Sequence, residues 1–230
     1  MGYSADCERL LCIAKAAALG DRCFDYILGE IRPGVTERTV ADKIDAFLRA
    51  HGGEALAFPT ICVSGPRGCL PHGEPSDRRI ERGEFLTMDF GAVIGGFCGD
   101  MTRTVAVGAV SGEQRRVYDA VLTAQRTAIR AIRAGTRCSD ADKAARAVIE
   151  EAGYGAYFVH GTGHGVGAEV HEPPTLNAKS EETLEAGFAV TVEPGVYIED
   201  KMGVRIEDLL IVTDTGIINL TSAEKDLIVL

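Results

Sequence analysis

The sequence predicts an α+β fold built from two similar halves, each with two helices followed by a β-hairpin. The segment 31–52 aligns without gaps on 132–153, and both segments have apolar residues at helical spacing. The string ERGEFLTMDFG at 81–91 is echoed 104 residues later by EAGFAVTVEPG at 185–195, and both strings are typical of strands. We therefore expect helices packed outside a curved, mainly antiparallel sheet with pseudo-twofold symmetry.

Length and composition are those of one ordinary globular domain. The chain has 230 residues, of which 46% are hydrophobic and 25% charged, which is enough to bury one sizeable core. No low-complexity linker separates the repeats, so we expect a single domain over 1–230 with halves of roughly 1–108 and 109–230. The net charge of −10 argues against nucleic acid or an anionic membrane as the main partner.

The amino-terminal residues do not have the pattern of a signal peptide. Asp6, Glu8 and Lys15 lie where such a peptide needs an apolar stretch, and the chain contains no run of 18 apolar residues. We therefore expect a cytoplasmic protein that does not span a membrane. The seven cysteines are scattered without a C-x-x-C pair, which favours reduced cysteines in the core over a structural zinc site or a disulfide framework.

The first half begins with two predicted helices. An apolar stripe at steps of three and four residues covers 5–31, and Thr36 is placed to cap a second helix that closes at Gly52. A strand is expected over 55–63. A loop that contains LPHGEP at 70–75 then leads to the first hairpin.

The second half repeats this plan. Ser111-x-x-Gln114 has the pattern of a capping box ahead of a helix. Ser139-x-x-Asp142 is expected to open the next helix, which ends at Gly153. The second hairpin follows after a glycine-rich segment that has no counterpart in the first half.

The first hairpin is expected to hold two acids opposite each other. Its strands are separated by a turn at 94–96, and if Val93 pairs with Gly96, Asp89 lies directly across from Asp100. Directly opposed side chains have Cβ atoms about 4.5–5.5 Å apart, and like charges at that distance are destabilising. We therefore expect a cation between the two carboxylates.

The second hairpin repeats the pair of acids. Glu193 occupies the position equivalent to Asp89, and a turn centred on Asp200 places Glu193 across from Glu207. Two ordinary hairpins with solvated surface acids are the simplest alternative. That alternative is disfavoured because the acids of the first hairpin lie among Phe, Met, Cys and Gly rather than among other charges.

The glycine-rich string FVHGTGHGVGAEVHEPP at 158–174 supports a metal site better than a nucleotide site. Residues 163–168 match a dinucleotide fingerprint, but two prolines follow instead of a helix and the β-α-β unit is missing. A P-loop is excluded because no Gly-Lys-Ser/Thr follows. His164 lies just ahead of the second hairpin, and imidazole is a common metal ligand. Four carboxylates and one imidazole favour manganese, cobalt, iron or magnesium over a thiolate-type zinc site.

The complete set resembles the ligands of the pita-bread metallopeptidases, which include methionine aminopeptidases and Xaa-Pro peptidases. The local strings are closer to the Xaa-Pro branch; they are LPHGEPSDR, MDFGA and GDMTRTV in the first half, and HGTGHGVGAEVHEPP, VEPGVYI and GVRIED in the second. The resemblance covers nearly the whole chain. It implies the pita-bread fold and a dinuclear metal-dependent exopeptidase that hydrolyses the first bond of short peptides, preferably with proline second.

The resemblance also implies how two divalent ions are bound, with manganese expected first and cobalt, iron or zinc as alternatives. Asp100 and Glu207 would bridge the ions, Asp89 would bind one, and His164 and Glu193 would bind the other. A water held between the ions would become hydroxide near neutral pH and act as the nucleophile, with Glu193 taking its proton.

Further side chains are assigned to the substrate by the same resemblance. His171 would help to stabilise the oxyanion, and His72 would lie near the scissile amide nitrogen. Arg205 would orient Glu207 or meet a substrate carboxylate, with an ion pair to a surface acid as its alternative role. His160 is a candidate for support of the metal ligands.

Xaa-Pro peptidases usually carry an additional amino-terminal domain, and we expect this chain to lack it because its first helix begins almost at once. The expected partners are a short peptide substrate and a second copy of the chain in a homodimer. Three alternatives stay open: removal of initiator methionine from longer chains, a non-catalytic peptide-binding module on the same fold, and hydrolysis of a small non-peptide amide.

Overall fold

The computed structural model describes residues 2–230 as helices and antiparallel strands, which confirms the predicted α+β class. The first half contains α1 (Gly2–Leu28), α2 (Glu37–Ala50), β1 (Ala55–Leu56), β2 (Ile61–Ser64), β3 (Glu84–Phe90), β4 (Ala92–Ile94), β5 (Phe97–Cys98) and β6 (Met101–Val107). The second half contains α3 (Gly112–Ala131), α4 (Cys138–Glu151), β7 (Gly163–Gly165), β8 (Glu172–Leu176), β9 (Ala189–Val192), β10 (Gly195–Ile198), β11 (Met202–Arg205), β12 (Asp208–Val212) and β13 (Ile217–Asn219). Short 3-10 helices cover Gly65–Cys69 and Gly155–Tyr157.

Two of the predicted helix caps are confirmed. Thr36 accepts a hydrogen bond from the backbone N–H of Thr39 at 3.1 Å, as an N-cap residue of α2 should. Ser111 and Gln114 satisfy each other's backbone N–H groups in a capping box at the start of α3. No helix within residues 2–230 combines the length and hydropathy that a membrane-spanning segment requires.

The predicted start of α4 at Ser139 is wrong. The helix begins at Cys138, and its N-cap is Arg137, whose side chain makes no capping hydrogen bond. A tertiary contact sets this boundary, because the N–H of Cys138 donates to the carbonyl oxygen of Glu182 at 2.9 Å. Arg137 also forms an isolated antiparallel bridge with Thr183.

The strands form four antiparallel sheets rather than one continuous sheet. Their strand orders are β2-β3-β6, β1-β4-β5, β13-β12-β9-β7-β8 and β10-β11. Both hairpins are interrupted near the predicted acids, at Gly91 and 99–100 in the first half and at 193–194 and 206–207 in the second. Gly91 permits the first break, since a Cβ atom there would lie 1.9 Å from the carbonyl oxygen of Gly99.

The single strand expected over 55–63 is wrong, because the structure divides it into β1 and β2. The division lies around Pro59, which has no backbone N–H for a strand ladder. β1 pairs with β4, whereas β2 pairs with β3. The segment between them is therefore free to line the cavity described below.

The register expected for the first hairpin is also wrong, by two residues. Ile94 pairs with Phe97, and Asp89 pairs with Thr102 instead of Asp100. The cause is the turn: Gly95 and Gly96 both have positive φ, at 59° and 77°, and together form a two-residue loop of the kind favoured in hairpins. A shift by two residues preserves the faces of the strands, so Asp89 and Asp100 still share a face.

The register of the second hairpin is confirmed. Ile198 pairs with Met202 around Asp200, which has a positive φ of 54°. The same register continues on the far side of the break, where β9 pairs with β12. Glu193 and Glu207 lie opposite each other within that break.

Alternation along the central strands separates the core from the site. Leu86, Met88 and Phe90 of β3 join the buried cluster formed with α1 and α2. Thr87 and Asp89 therefore point to the opposite face, away from the helices. The alternate residues of β9 do the same in the second half, packing against α3 and α4.

Residues at the end of the chain return to the first half. Ala106 of β6 forms a parallel bridge with Val229. The backbone hydrogen bonds are made by Ala106 to Ile228, by Leu230 to Ala106 and by Gly108 to Leu230, at 2.7–2.9 Å. Residues 228–230 thus cover the edge of the β2-β3-β6 sheet that β6 would otherwise expose.

Candidate metal centre

All eight predicted site residues line one cavity of about 490 Å³ between the two halves. They are His72, Asp89, Asp100, His164, His171, Glu193, Arg205 and Glu207. Most of the remaining wall comes from the segment between β1 and β2 and from the loop around His72, and Arg38, Ile61 and Val170 complete it. A volume in this range is typical of pockets for small molecules.

Direct hydrogen bonds between the two hairpins bring the acids together. The backbone N–H of Glu207 donates to the carbonyl oxygen of Thr102 at 3.1 Å. A second contact lies two residues further along each strand, where Thr104 Oγ1 donates to the carbonyl oxygen of Arg205 at 3.0 Å. These contacts cross between the halves and place Asp100 beside Glu207.

His164 lies against the acids with one ring nitrogen directed at them. Its Nε2 is 3.2 Å from Glu193 Oε1 and 3.6 Å from Asp100 Oδ2. Its Nδ1 is 3.0 Å from the carbonyl oxygen of Gly165, which favours a proton on Nδ1 and leaves Nε2 to act as a ligand. Ligand atoms of Asp100, His164 and Glu207 all lie within 4.8 Å of one another.

The backbone around His164 is held by a fully buried acid in α4. Asp142 accepts hydrogen bonds from the N–H and Oγ1 of Thr162 at 3.1 and 2.9 Å. The carbonyl oxygen of Thr162 accepts from the N–H of Glu193 at 2.7 Å. The N–H of His164 donates to Thr191 Oγ1 at 3.1 Å. One short segment therefore sets the positions of both His164 and Glu193.

Two buried oxygens in this cluster lack a partner among the described residues, Asp89 Oδ1 and Glu207 Oε1. Buried polar atoms are normally satisfied, and an unpaired carboxylate oxygen is costly. A cation between the carboxylates would satisfy both atoms and reduce the repulsion between the acids. The hard oxygen donors and one imidazole therefore fit divalent cations such as manganese.

Burial and crowding shift the pKa values of the acids in different directions. Removal from water raises the pKa of Asp89, and it raises those of Asp100 and Glu207 further, with added repulsion from neighbouring carboxylates. Burial also acts against ionisation of Glu193, but the hydrogen bond from His164 and the positive charges of His164, His160 and Arg205 together outweigh it and lower the pKa of Glu193 to about 2. Burial alone would lower the pKa of His164. The pKa is nevertheless raised, chiefly by the hydrogen bond and the negative charge of Glu193.

Arg205 contacts a different acid from the one expected. It is only 3% exposed, and its Nη2 donates to Asp89 Oδ2 at 2.6 Å. Its Nε donates to Thr102 Oγ1, and its Nη1 donates to Tyr197 Oη and to the carbonyl oxygen of Pro71, at 2.8–3.0 Å. Among the described residues, Arg205 makes no direct contact with Glu207, which was the expected partner. It also forms no ion pair with a surface acid, which was the alternative. Arg205 instead contacts two candidate ligands, Asp89 and also Glu193, whose Oε2 lies 4.0 Å from the Nε of Arg205.

Sequence reasoning missed three residues that support the cluster. Thr102 donates to Glu207 Oε2 at 2.6 Å and accepts from Arg205. Thr191 Oγ1 lies 3.3 Å from Glu193 Oε1. The third is Tyr197, which links Arg205 to His160. A correct register for the first hairpin would have shown Thr102 directly across from Asp89.

The other histidines surround the cluster at different depths. The ring of His171 lies 4.2 Å from that of His164, centroid to centroid, and partial burial together with the nearby His164 lowers the pKa of His171. His72 is exposed to the cavity. His160 Nε2 is 2.8 Å from Tyr197 Oη, and burial lowers the pKa of His160. His160 therefore reaches the acids only through Tyr197 and Arg205.

Comparison with known proteins gives consistent matches. A family profile described as metallopeptidase family M24 matches residues 11–214. An Xaa-Pro dipeptidase from Pyrococcus furiosus is 42% identical over 221 residues, which cover 96% of this chain and 64% of that protein. The chain thus spans less than two thirds of the length of the curated relatives it matches first.

Solved structures resemble this one closely. An Xaa-Pro dipeptidase from Bacillus anthracis has a TM-score of 0.96 and 46% identity, covering 97% of this chain and 63% of that one. An X-Pro aminopeptidase from Thermotoga maritima has a TM-score of 0.94 and 38% identity, with coverage of 97% and 63%. Each match covers 97% of this chain and therefore extends over both halves.

Proposed function

Because the chain belongs to metallopeptidase family M24 and has its pita-bread fold, we propose that it is a dinuclear metal-dependent exopeptidase. The substrates would be short peptides, cleaved after the first residue and preferably with proline second. The observation that carries the proposal is the cluster in which Asp100, His164 and Glu207 present ligand atoms within 4.8 Å, beside two buried carboxylate oxygens without partners. The names of the similar proteins support the choice of substrate.

The proposed roles follow from the positions of the side chains around the cavity. Divalent ions bound by the five ligands would polarise the scissile carbonyl and supply a nucleophile from water at neutral pH. Glu193, which lines the cavity beside His164, would accept the proton. His171, beside His164, would donate to the developing oxyanion, and His72 would meet the scissile amide nitrogen.

Metal, assembly and location are further parts of the proposal. Two manganese ions fit the hard donor set best, with cobalt, iron or zinc as alternatives. All seven cysteines are free, which supports a reducing compartment such as the cytoplasm. We also propose that residues 1–230 act as one catalytic domain and associate as a homodimer.

The test combines metal content with turnover. The protein is stripped of metal, reloaded singly with manganese, cobalt, iron or zinc, and assayed for release of the first residue from Ala-Pro, Arg-Pro-Pro and Met-Ala-Ser. We expect close to two ions per chain and metal-dependent cleavage of the Xaa-Pro peptides. Preference for Met-Ala-Ser would instead indicate a methionine aminopeptidase, and binding of peptide without turnover under every metal would indicate a binding module.

A pair of variants tests the role of the acids. Glu193→Ala should abolish turnover, whereas Glu199→Ala, which changes an exposed acid at the turn of the same hairpin, should leave it intact. Full activity of Glu193→Ala in the presence of metal would refute the proposed mechanism.

A further inference from the structure

Glu37 is a fully buried acid that lies outside the metal cluster. It is in the first turn of α2 and is 0% exposed. Its Oε1 accepts hydrogen bonds from the N–H and Oγ of Ser64 at 2.7 and 2.9 Å. Its Oε2 accepts from the N–H and Oγ of Ser76 at 3.1 and 2.7 Å, and from Arg67 Nε at 3.0 Å. Five donors therefore converge on one carboxylate.

The two serines are the two ends of the loop that carries His72. Between them the chain runs from the 3-10 helix Gly65–Cys69 through His72 to Glu74. Arg67 extends the contact into the loop, because its Nη2 donates to the carbonyl oxygen of Glu74 at 2.6 Å. A single buried carboxylate thus joins the two ends of the loop, and through Arg67 it also stabilises the backbone within the loop.

His72 depends on this backbone for its position. Its side chain is exposed, and its ring makes no hydrogen bond to any described residue. The residue before it is fixed from the other side, since the carbonyl oxygen of Pro71 accepts a hydrogen bond from Arg205. The loop is therefore held by Arg205 at its tip and by Glu37 at its base.

We propose that Glu37 is a positioning residue that acts through the loop on His72. This inference rests on the proposed function, in which His72 meets the scissile amide nitrogen. Closing the loop at its base keeps the imidazole over the cavity and facing the acids. Misplacement of a reacting group by about 1 Å can cost on the order of 100-fold in rate.

A double-mutant cycle separates this role from a contribution to stability alone. Glu37→Gln keeps the size of the side chain but replaces one acceptor by a donor, which opposes the serine and arginine donors. We expect kcat/KM for Ala-Pro to fall about 10-fold to 100-fold in Glu37→Gln, with metal content unchanged. In a His72→Ala background, the same change should cost little further activity, because the residue through which it acts is gone.

The matched control is Glu30→Gln, which breaks the partly exposed ion pair between Glu30 and Lys43 beside α2 and should leave kcat/KM unchanged. Ser76→Ala removes one donor and keeps the acid, so it should lower activity in the same direction but less. This variant also tests the inference if Glu37→Gln does not fold. Losses that multiply fully in the double variant would overturn the proposal.

Hydrogen exchange supplies a measurement that does not depend on turnover. In the metal-loaded protein, Glu37→Gln should speed exchange of the amides in 65–75 and leave those of β9 and β12 unchanged. If the wild-type chain cleaves no peptide, the proposed function fails while exchange still tests the closure of the loop. Unchanged exchange in 65–75 would show that Glu37 does not hold the loop.

Discussion

At the scale of single residues, the candidate metal ligands are poorly suited to a folded protein without metal. Asp100 and Glu207 are buried side by side, and their pKa values are well above the ordinary range of carboxyl groups. The folded chain therefore retains protons that the unfolded chain has already released. Ions and protons compete for the same oxygens.

This competition predicts how the stability of the metal-free protein depends on pH. As pH rises above about 6.5, the folded state must deprotonate Asp100, Glu207 and His164, all with raised pKa values, so the free energy of unfolding should fall. Below pH 6.5 the lowered pKa values of His160 and His171 make the free energy of unfolding rise with pH. The measurement should therefore be made above pH 6.5. Glu193 contributes no slope there, since its pKa is about 2.

Calorimetric melting of the metal-free protein between pH 6.5 and 8, below the range in which unfolded cysteines ionise, checks this expectation. The melting temperature should decrease with pH, and saturating manganese should remove the decrease because binding favours deprotonated ligands. A melting temperature that rises with pH in the metal-free protein would contradict the raised pKa values of Asp100, Glu207 and His164.

Asp100→Asn should have opposite effects with and without metal. Without metal, it removes a buried charge from a crowded site, so the melting temperature at pH 8 should rise, by about 2–4 °C for each kcal/mol of repulsion relieved. With manganese, the order should reverse, because wild-type gains stability from binding and the variant does not. Asp214→Asn, at an exposed position, is the control and should change neither value. A metal-free variant that melts below wild-type would argue against repulsion as the dominant effect.

At the scale of elements, two backbone segments from different halves touch without side chains between them. The 3-10 helix Gly65–Cys69 packs on β11, and a Cβ atom at Gly203 would lie 1.8 Å from the carbonyl oxygen of Gly68. Either the helix or the strand would have to move to accept a methyl group. The helix leads directly into the loop that carries His72.

Gly203→Ala should therefore reduce both stability and activity. We expect a loss of about 1–3 kcal/mol in the free energy of unfolding, measured by urea denaturation, and a lower kcat/KM because the His72 loop is displaced. Gly216→Ala is the matched control, since no atom lies within 4 Å of a Cβ atom at that position. Equal stability of the two variants would mean that the 3-10 helix and β11 separate at little cost.

The elements also show what sequence patterns can and cannot predict. The acids were found because they recur at matching positions in two strand patterns. The alternation of side chains along a strand then places the two acids of each hairpin on the same face. The register of the first hairpin was missed because pairings that differ by two residues give identical faces, and only the turn distinguishes them. The start of α4 was missed because Arg137 is positioned by a contact with Thr183, far away in the sequence.

The contacts that support the candidate ligands were even harder to predict from the sequence. Thr102 and Arg205 reach their partners across the boundary between the halves, as in the bonds from Thr102 to Glu207 and from Arg205 to Asp89. Such contacts join residues more than 100 positions apart, and no local period reports them. Strand spacing alone could assign Arg205 to a face but could not choose Asp89 as its partner.

At the scale of the whole molecule, Arg103 joins the halves through a buried charge. It is 1% exposed and pairs with Asp208 at 2.8 Å. Its guanidinium also donates to carbonyl oxygens of Thr102, Glu207, Ala223 and Glu224. One side chain of β6 therefore fixes β12 and the segment that follows β13.

Arg103→Met should destabilise the protein by about 3–5 kcal/mol, because it leaves Asp208 buried with fewer partners. Lys225 still contacts Asp208, so we expect a value near the lower limit. Arg126→Met breaks an exposed pair with Asp226 and should cost less than about 1 kcal/mol. Urea denaturation of both variants compares them, and a similar small loss in each would show that the buried pair is dispensable.

The return of residues 228–230 to the edge of β6 sets an order for synthesis on the ribosome. β6 emerges roughly 120 residues before the segment that covers it, which corresponds to roughly 6–24 s of translation. During that interval the nascent first half presents an unpaired strand edge, the kind of surface that recruits other chains. Slow translation of the second half would prolong this exposure, so the yield of native protein in a cell should depend on elongation rate and on chaperones that shield the nascent edge.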